Sequence, residues 1–168
     1  MSNRTRIACL LMVGMGLCAP VSAAALKVTM HKVSAEGVGD SIGTVEFRDS
    51  GERGLMIIPD LHGLTPGAHG FHVHENASCD PKSKDDSMVA GLAAGGHFDP
   101  GKTGKHEGPA GKGHLGDLPV LQVAANGNAT MTMYAPHLHV SDLAGRSVMI
   151  HAGGDNYSDA PKPLGGGG

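Results

Sequence analysis

The chain has 168 residues, 13 basic against 16 acidic side chains, 11 histidines, 27 glycines, 10 prolines and no tryptophan. That length suits one domain, and a net charge of -3 excludes a nucleic-acid binder held by phosphate contacts. The composition also excludes collagen, a coiled coil and a multi-span membrane protein, and with few aromatics any core must rest on Val, Leu, Ile, Met and Ala.

Arg4 and Arg6 precede an apolar run from Ile7 to Cys18, which Pro20 breaks before the small residues Val21-Ser22-Ala23. This is the three-part pattern of a secretory signal peptide over residues 1–23. The run is too short for a bilayer span of about 20 residues. Cleavage after Ala23 leaves residues 24–168 as one mature domain with all 11 histidines and a net charge of -5, 11 basic against 16 acidic. The signal predicts a periplasmic or secreted protein with no membrane attachment after cleavage. It also removes Cys9 and Cys18, so Cys79 stands alone.

The mature chain reads as short strands. Leu26, Val28 and Met30 alternate with polar neighbours, as do Val45 and Phe47. Leu55 to Ile58 is an apolar run between Gly54 and Pro59, and Phe71 to His74 follows the turn Thr65-Pro66-Gly67. Val120–Ala124 and Thr130–Tyr134 flank Asn126-Gly127-Asn128, which predicts a hairpin. Arg146 to Ala152 supplies one more strand. No helical period is sustained, so the pattern predicts an all-β sandwich or barrel. Residues 76–116 lack either period and read as one long loop, and loops of that length are functional or disordered.

Histidines decide between those two. His72-Val73-His74 places two imidazoles on one face of a strand, half of a transition-metal site. His97, His106, His114 and Asp117 lie in or at the end of the long loop, and three histidines with one carboxylate fill a closed, tetrahedral zinc shell. His151, at the end of a late strand, is free to complete the first site.

These residues sit in motifs that resemble copper,zinc superoxide dismutase, most closely its exported bacterial branch. The motifs are Gly70-Phe71-His72-Val73-His74-Glu75, Ala94-Gly95-Gly96-His97-Phe98-Asp99-Pro100, His114-Leu115-Gly116-Asp117-Leu118-Pro119, His151-Ala152-Gly153-Gly154-Asp155-Asn156 and the closing glycine run. The resemblance implies a Greek-key β-barrel or sandwich with long metal-binding loops. It implies copper on His72, His74, His97 and His151, and zinc on His97, His106, His114 and Asp117, with His97 bridging the two ions. All-imidazole ligation favours Cu(II), and redox work excludes zinc from that position. The implied reaction dismutes superoxide to O2 and hydrogen peroxide, with His97 as the catalytic proton carrier. Asp155 would be the carboxylate that orients one copper and one zinc ligand, His72 and His106.

The remaining histidines read differently. His69 matches a framework position; His31 and His62 lack companions; His137-Leu138-His139 repeats the His-x-His spacing without a third ligand. Lys102, Lys105, Lys112 and Lys162 could draw in an anion, although scattered lysines read first as solvated surface. The resemblance further implies an arginine, a cysteine and a final strand after the glycine run, and the sequence stops at Gly168. The expectation is therefore a domain short of its last strand, with Cys79 lacking its disulfide partner in this chain and two strand edges open. The alternative is a weakly active or non-catalytic periplasmic copper/zinc-binding protein on the same scaffold. A homodimer stays open.

Overall fold

A computed structural model describes residues 25–161; the signal-peptide reading, Lys162 and the glycine run lie outside the described residues. The described residues form ten strands and three short 3-10 turns, with no helix long and apolar enough to cross a membrane. The all-β expectation holds.

Strands β1 (Ala25–Ser34), β2 (Gly37–Asp49) and β3 (Leu55–Leu61) make an antiparallel meander. Strand β9 (Met133–Ala135) joins it beside β3, after β4 (Gly67–His69), β5 (Phe71–His74), β6 (Lys82–Lys84), β7 (Ser87–Val89) and β8 (Leu121–Val123) have intervened. The connection from β3 to β9 is therefore a long excursion through five other strands, not a further hairpin of the meander. Strand β10 (Ser147–Ile150) pairs with β5, and β4 pairs with β8.

Alternation along these strands builds one core. Val45 and Phe47 of β2, Leu55 and Ile57 of β3 and Phe71 and Val73 of β5 are fully buried in it. Each such side chain contributes roughly 1.5–3 kcal/mol relative to exposure. An apolar cleft of about 910 Å³ opens between β1 and β10, lined by Leu26, Val28, Phe47, Val148 and Ile150. Among the described residues the sheets do not close into a complete barrel.

Three local expectations are corrected. Strand β3 does not stop at Pro59 but runs on to Leu61. Leu61 exchanges both backbone hydrogen bonds with Ala129, so the backbone N–H side of Leu61, and by alternation of Pro59, faces that neighbour. Strand β9 pairs only with Leu55–Ile57, so the donor that Pro59 lacks falls in the gap between that ladder and Ala129.

The turn at Asn126-Gly127-Asn128 does form, closed by Ala124 N–H to Asn128 O at 2.8 Å. The segments on either side do not pair as a hairpin: β8 joins β4 and β9 joins β3. Finally, the stretch 76–116 is not unbroken loop. It holds the β6–β7 hairpin, turned by Asp85 and Asp86 at φ 48° and 60°. Such a turn demands two positive φ values, usually met by Asn or Gly, and a paired aspartate gave no such signal.

Candidate metal centre

Strand β5 is the axis of the site. Phe71 and Val73 point into the core, so His72 and His74 must point to the opposite face. One side of β5 pairs with β10; the other carries two isolated bridges, His74 to His97 and His72 to Asp117. Backbone register therefore brings residues from two distant loop segments beside the His-x-His pair. Gly116 permits this approach, since a Cβ there would stand 2.3 Å from Val73 O and 2.9 Å from Phe98 N. His151 follows β10 and is tied back by its N–H to Gly70 O at 2.8 Å.

Two donor groups result. The candidate ligand atoms of His72, His74, His97 and His151 all lie within 4.8 Å of one another. His72 donates its Nε2–H to Asp155 Oδ2 at 2.7 Å, which leaves Nδ1 as its free atom, buried and without a partner. His74 donates its Nδ1–H to Gly95 O at 2.9 Å, so its Nε2 turns inward, 3.4 Å from His151 Nε2. Two imidazole nitrogens facing each other at that distance suit a shared cation.

On the other side, three Nδ1 atoms converge on the Asp117 carboxylate: His97 at 3.0 Å, His106 at 2.9 Å and His114 at 3.5 Å. The Nδ1 atoms of His106 and His114 are buried, with no polar partner of good hydrogen-bond geometry beyond this carboxylate contact. A tight grouping within 4.8 Å also forms from His97, His106 and Asp117 with His72 rather than His114. His114 stands slightly outside, its ring centroid 6.1 Å from that of His106. His72 has only one nitrogen left after Asp155, so it can serve one ion, and His114 has an unused nitrogen aimed at Asp117.

His97 belongs to both groups. Its Nδ1 faces Asp117 at 3.0 Å, and its ring centroid lies 5.1 Å from that of His74 and 6.0 Å from that of His151. Asp155 joins the groups from behind, accepting from His72 at 2.7 Å and from His106 Nε2–H at 2.6 Å. The predicted residues His72, His74, His97, His106, His114, His151, Asp117 and Asp155 thus gather in one place.

Charge follows this geometry. Burial, with the neighbouring His97, holds His72 down at about 4, and burial with three neighbouring imidazoles holds His151 at about 3. His74 is lowered too, chiefly by burial. These rings are neutral at pH 7 with lone pairs available. Burial opposes protonation of His106, but hydrogen bonds and charge from Asp117 and Asp155 overcome it and lift His106 to about 9. Burial disfavours both carboxylates as anions. Nevertheless, His106 and His97 hold Asp117 well below its ordinary value, and His72 and His106 hold Asp155 at about 2.

His69 donates from Nδ1 to His151 O at 2.8 Å and lies 2.7 Å through Nε2 from Thr65 O, bracing the strand end that carries His151. Among the described residues the second His-x-His does not form a metal-ligand group: the His139 ring lies 3.4 Å from Asp49, and Leu138 between the pair is buried in the core. His31 bonds Gly39 O on the surface. Cys79 is free among the described residues, and burial raises its thiol pKa. Several supporting residues were given no role by the sequence. Glu75 accepts from Gly96 N–H at 3.2 Å, Arg146 lies 3.4 Å over the Phe98 ring, and Tyr157 and Asp159 anchor the loop around Asp155. None lies at a ligand spacing, so only their contacts reveal them.

Comparison with known proteins agrees. The pattern of the copper/zinc superoxide dismutase family (SODC) matches residues 41–168. Superoxide dismutase [Cu-Zn] 2 of Salmonella typhimurium is 56% identical over 160 residues, covering 95% of this chain and 92% of its own. Superoxide dismutase [Cu-Zn] of Escherichia coli is 52% identical over 147 residues, covering 87% of this chain and 84% of its own. Among solved structures, the Cu/Zn superoxide dismutase from Brucella abortus superposes with a TM-score of 0.83 at 50% identity, covering 86% of this chain and 94% of that one. The solution structure of the monomeric enzyme from Salmonella enterica does so with a TM-score of 0.77 at 57% identity, with the same coverage.

Proposed function

The chain belongs to the copper/zinc superoxide dismutase family, and from that premise we propose that it dismutes superoxide with copper on His72, His74, His97 and His151 and zinc on His97, His106, His114 and Asp117. The observation that carries the assignment is the position of His97, which belongs to both donor groups while its Nδ1 faces Asp117. Only an imidazole can offer one nitrogen to each of two cations. The fit of the chain to these ions lies in three buried Nδ1 atoms: that of His72 has no partner, those of His106 and His114 face the Asp117 carboxylate, and His72 and His106 have their other nitrogen committed to Asp155. Neutral imidazoles suit copper, and three imidazoles with a carboxylate suit a closed zinc shell.

Bound copper supplies the one-electron redox couple that converts two superoxide ions and two protons into O2 and hydrogen peroxide. The protein's part is to orient, insulate and move protons. Asp155 fixes the tautomers of His72 and His106 by accepting both Nε2–H groups, which leaves each Nδ1 free to ligate. Gly95 O does the same for His74 from the other nitrogen. His97 Nε2 is the proton carrier, taking up a proton in one half of the cycle and surrendering it in the other. Asp117 accepts from Glu107 N–H and Gly108 N–H, both at 3.2 Å, so its charge stays fixed while His97 changes protonation.

The signal-like residues 1–23 and the bacterial relatives support export to the periplasm, where a diffusing anion is the substrate. Metal analysis after loading and dialysis tests the assignment. One copper and one zinc per chain are expected, and His97→Ala should lower retention of both. Retention of both ions at wild-type level by the variant contradicts the shared role of His97.

A further inference from the structure

The loop after His151 carries Asp155 and returns over the zinc side through three anchors. Tyr157 N–H donates to Asp155 Oδ1 at 2.8 Å, Val120 N–H donates to the Tyr157 hydroxyl oxygen at 2.8 Å, and His106 N–H donates to Asp159 Oδ1 at 3.0 Å. The Tyr157 ring covers Gly108 so closely that a Cβ there would stand 2.6 Å from Tyr157 Cγ. Gly108 in turn donates its N–H to Asp117 Oδ2 at 3.2 Å. One residue therefore bears on both carboxylates of the centre: on Asp155 through its own N–H, and on Asp117 through the glycine beneath its ring.

The backbone strengthens this reading. Tyr157 has φ 56°, in the left-handed region that bulky residues rarely occupy. Such a conformation persists where surrounding contacts over-determine it, and these residues cluster at functional sites. Gly108 also lies in that region, at φ 73°, and the absence of a side chain leaves its face to the tyrosine ring.

Resting on the metal assignment above, we propose that Tyr157 is a positioning residue for the dismutation centre. Its ring on Gly108 and its N–H on Asp155 hold the two carboxylates in register, so that His72 and His106 present Nδ1 to their ions. Asp155 Oδ1 accepts from His106 at 2.6 Å as well as from Tyr157. If the loop swings, this carboxylate turns about its own axis and the two imidazoles lose a common reference. Tyr157 touches no ion and no substrate; it acts through Asp155 and Gly108.

Two substitutions separate the parts. Tyr157→Gly keeps the N–H and suits the positive φ, so it removes the ring without adding backbone strain. Tyr157→Phe keeps the ring and removes only the acceptor for Val120 N–H. Zinc-loaded, copper-free protein is compared by two readouts: zinc transfer to a chromogenic chelator, and exchange of the His72 and His106 Nε2–H protons in imidazole-tuned NMR spectra. Tyr157→Gly should speed both about tenfold or more, and Tyr157→Phe should return both to within about threefold of wild type. Wild-type zinc release and proton exchange in Tyr157→Gly overturn the proposal, even if that variant melts at a lower temperature. Tyr157→Phe as fast as Tyr157→Gly overturns the role of the ring. Wild-type protein that takes up no zinc contradicts the metal assignment itself, a different result from zinc that binds and is held equally well by Tyr157→Gly.

Discussion

Replacing Asp155 by asparagine preserves shape and removes one oxygen and the charge. In the native protein Oδ2 accepts from His72 Nε2–H at 2.7 Å, and Oδ1 accepts from His106 Nε2–H at 2.6 Å and from Tyr157 N–H at 2.8 Å. Asparagine can present its oxygen to only one side. Its NH2 group then meets an N–H on the other, and that imidazole must rotate or shift its proton onto the nitrogen needed for ligation. The loss is one charge-assisted hydrogen bond, roughly 1.5–3 kcal/mol, or about 10- to 100-fold in affinity at 1.4 kcal/mol per tenfold. That range coincides with the effect general to carboxylates behind metal-bound histidines. Chelator competition at fixed pH, run separately for zinc and copper, measures it. We expect at least one ion to lose about tenfold or more, zinc if the amide faces His106 and copper if it faces His72. Affinities for both ions within twofold of wild type would refute the reasoning, because the carboxylate would then not be what orients the two rings.

Three further outcomes follow from the same contacts. Metal-free protein should be most stable near pH 6.5: His72 and His151 are depressed to about 4 and about 3, so below 6.5 the unfolded chain binds protons that the folded chain refuses, at roughly 1 kcal/mol per pH unit for each ring. His106 is raised to about 9, so its stabilising contribution is complete below 6.5 and fades as pH climbs toward 9; urea midpoints at pH 4.5, 6.5 and 9 check both limbs, and equal midpoints contradict them. For the same reason zinc uptake at pH 7.5 should release a proton from His106, seen by calorimetry in buffers of different ionisation enthalpy; no buffer dependence contradicts the raised value. Gly116→Ala places a methyl 2.3 Å from Val73 O, so it should lower thermal stability by about 1–3 kcal/mol and weaken copper and zinc retention together. A variant that melts and binds as wild type contradicts the close approach described.

Much of the site was legible because ligand chemistry restricts residue type. His72 and His74 are two apart on a strand, His97, His106, His114 and Asp117 share one segment, and the ordered motifs identified Asp155 without reference to contacts. Strand positions were legible for the same reason, since burial on one face enforces alternation in β1, β2 and β3. Pairing was less legible. Asn126-Gly127-Asn128 encodes a turn, yet which strands meet is decided by tertiary packing, and here the neighbours separate into different sheets. Asp85-Asp86 concealed a hairpin because positive φ at aspartate is permitted but rarely chosen. Tyr157 and Asp159 were invisible for a further reason: they act through backbone groups, which leave no trace in residue spacing.

The central claim is that one imidazole, His97, serves two ions in a centre that dismutes superoxide. Pulse radiolysis of protein loaded with one copper and one zinc tests it most directly. Superoxide decay should be first order in both superoxide and copper-loaded protein, with the rate falling steeply for His97→Ala at matched copper content. Decay no faster than in protein-free buffer, or equal rates for wild type and His97→Ala at the same copper loading, would contradict it.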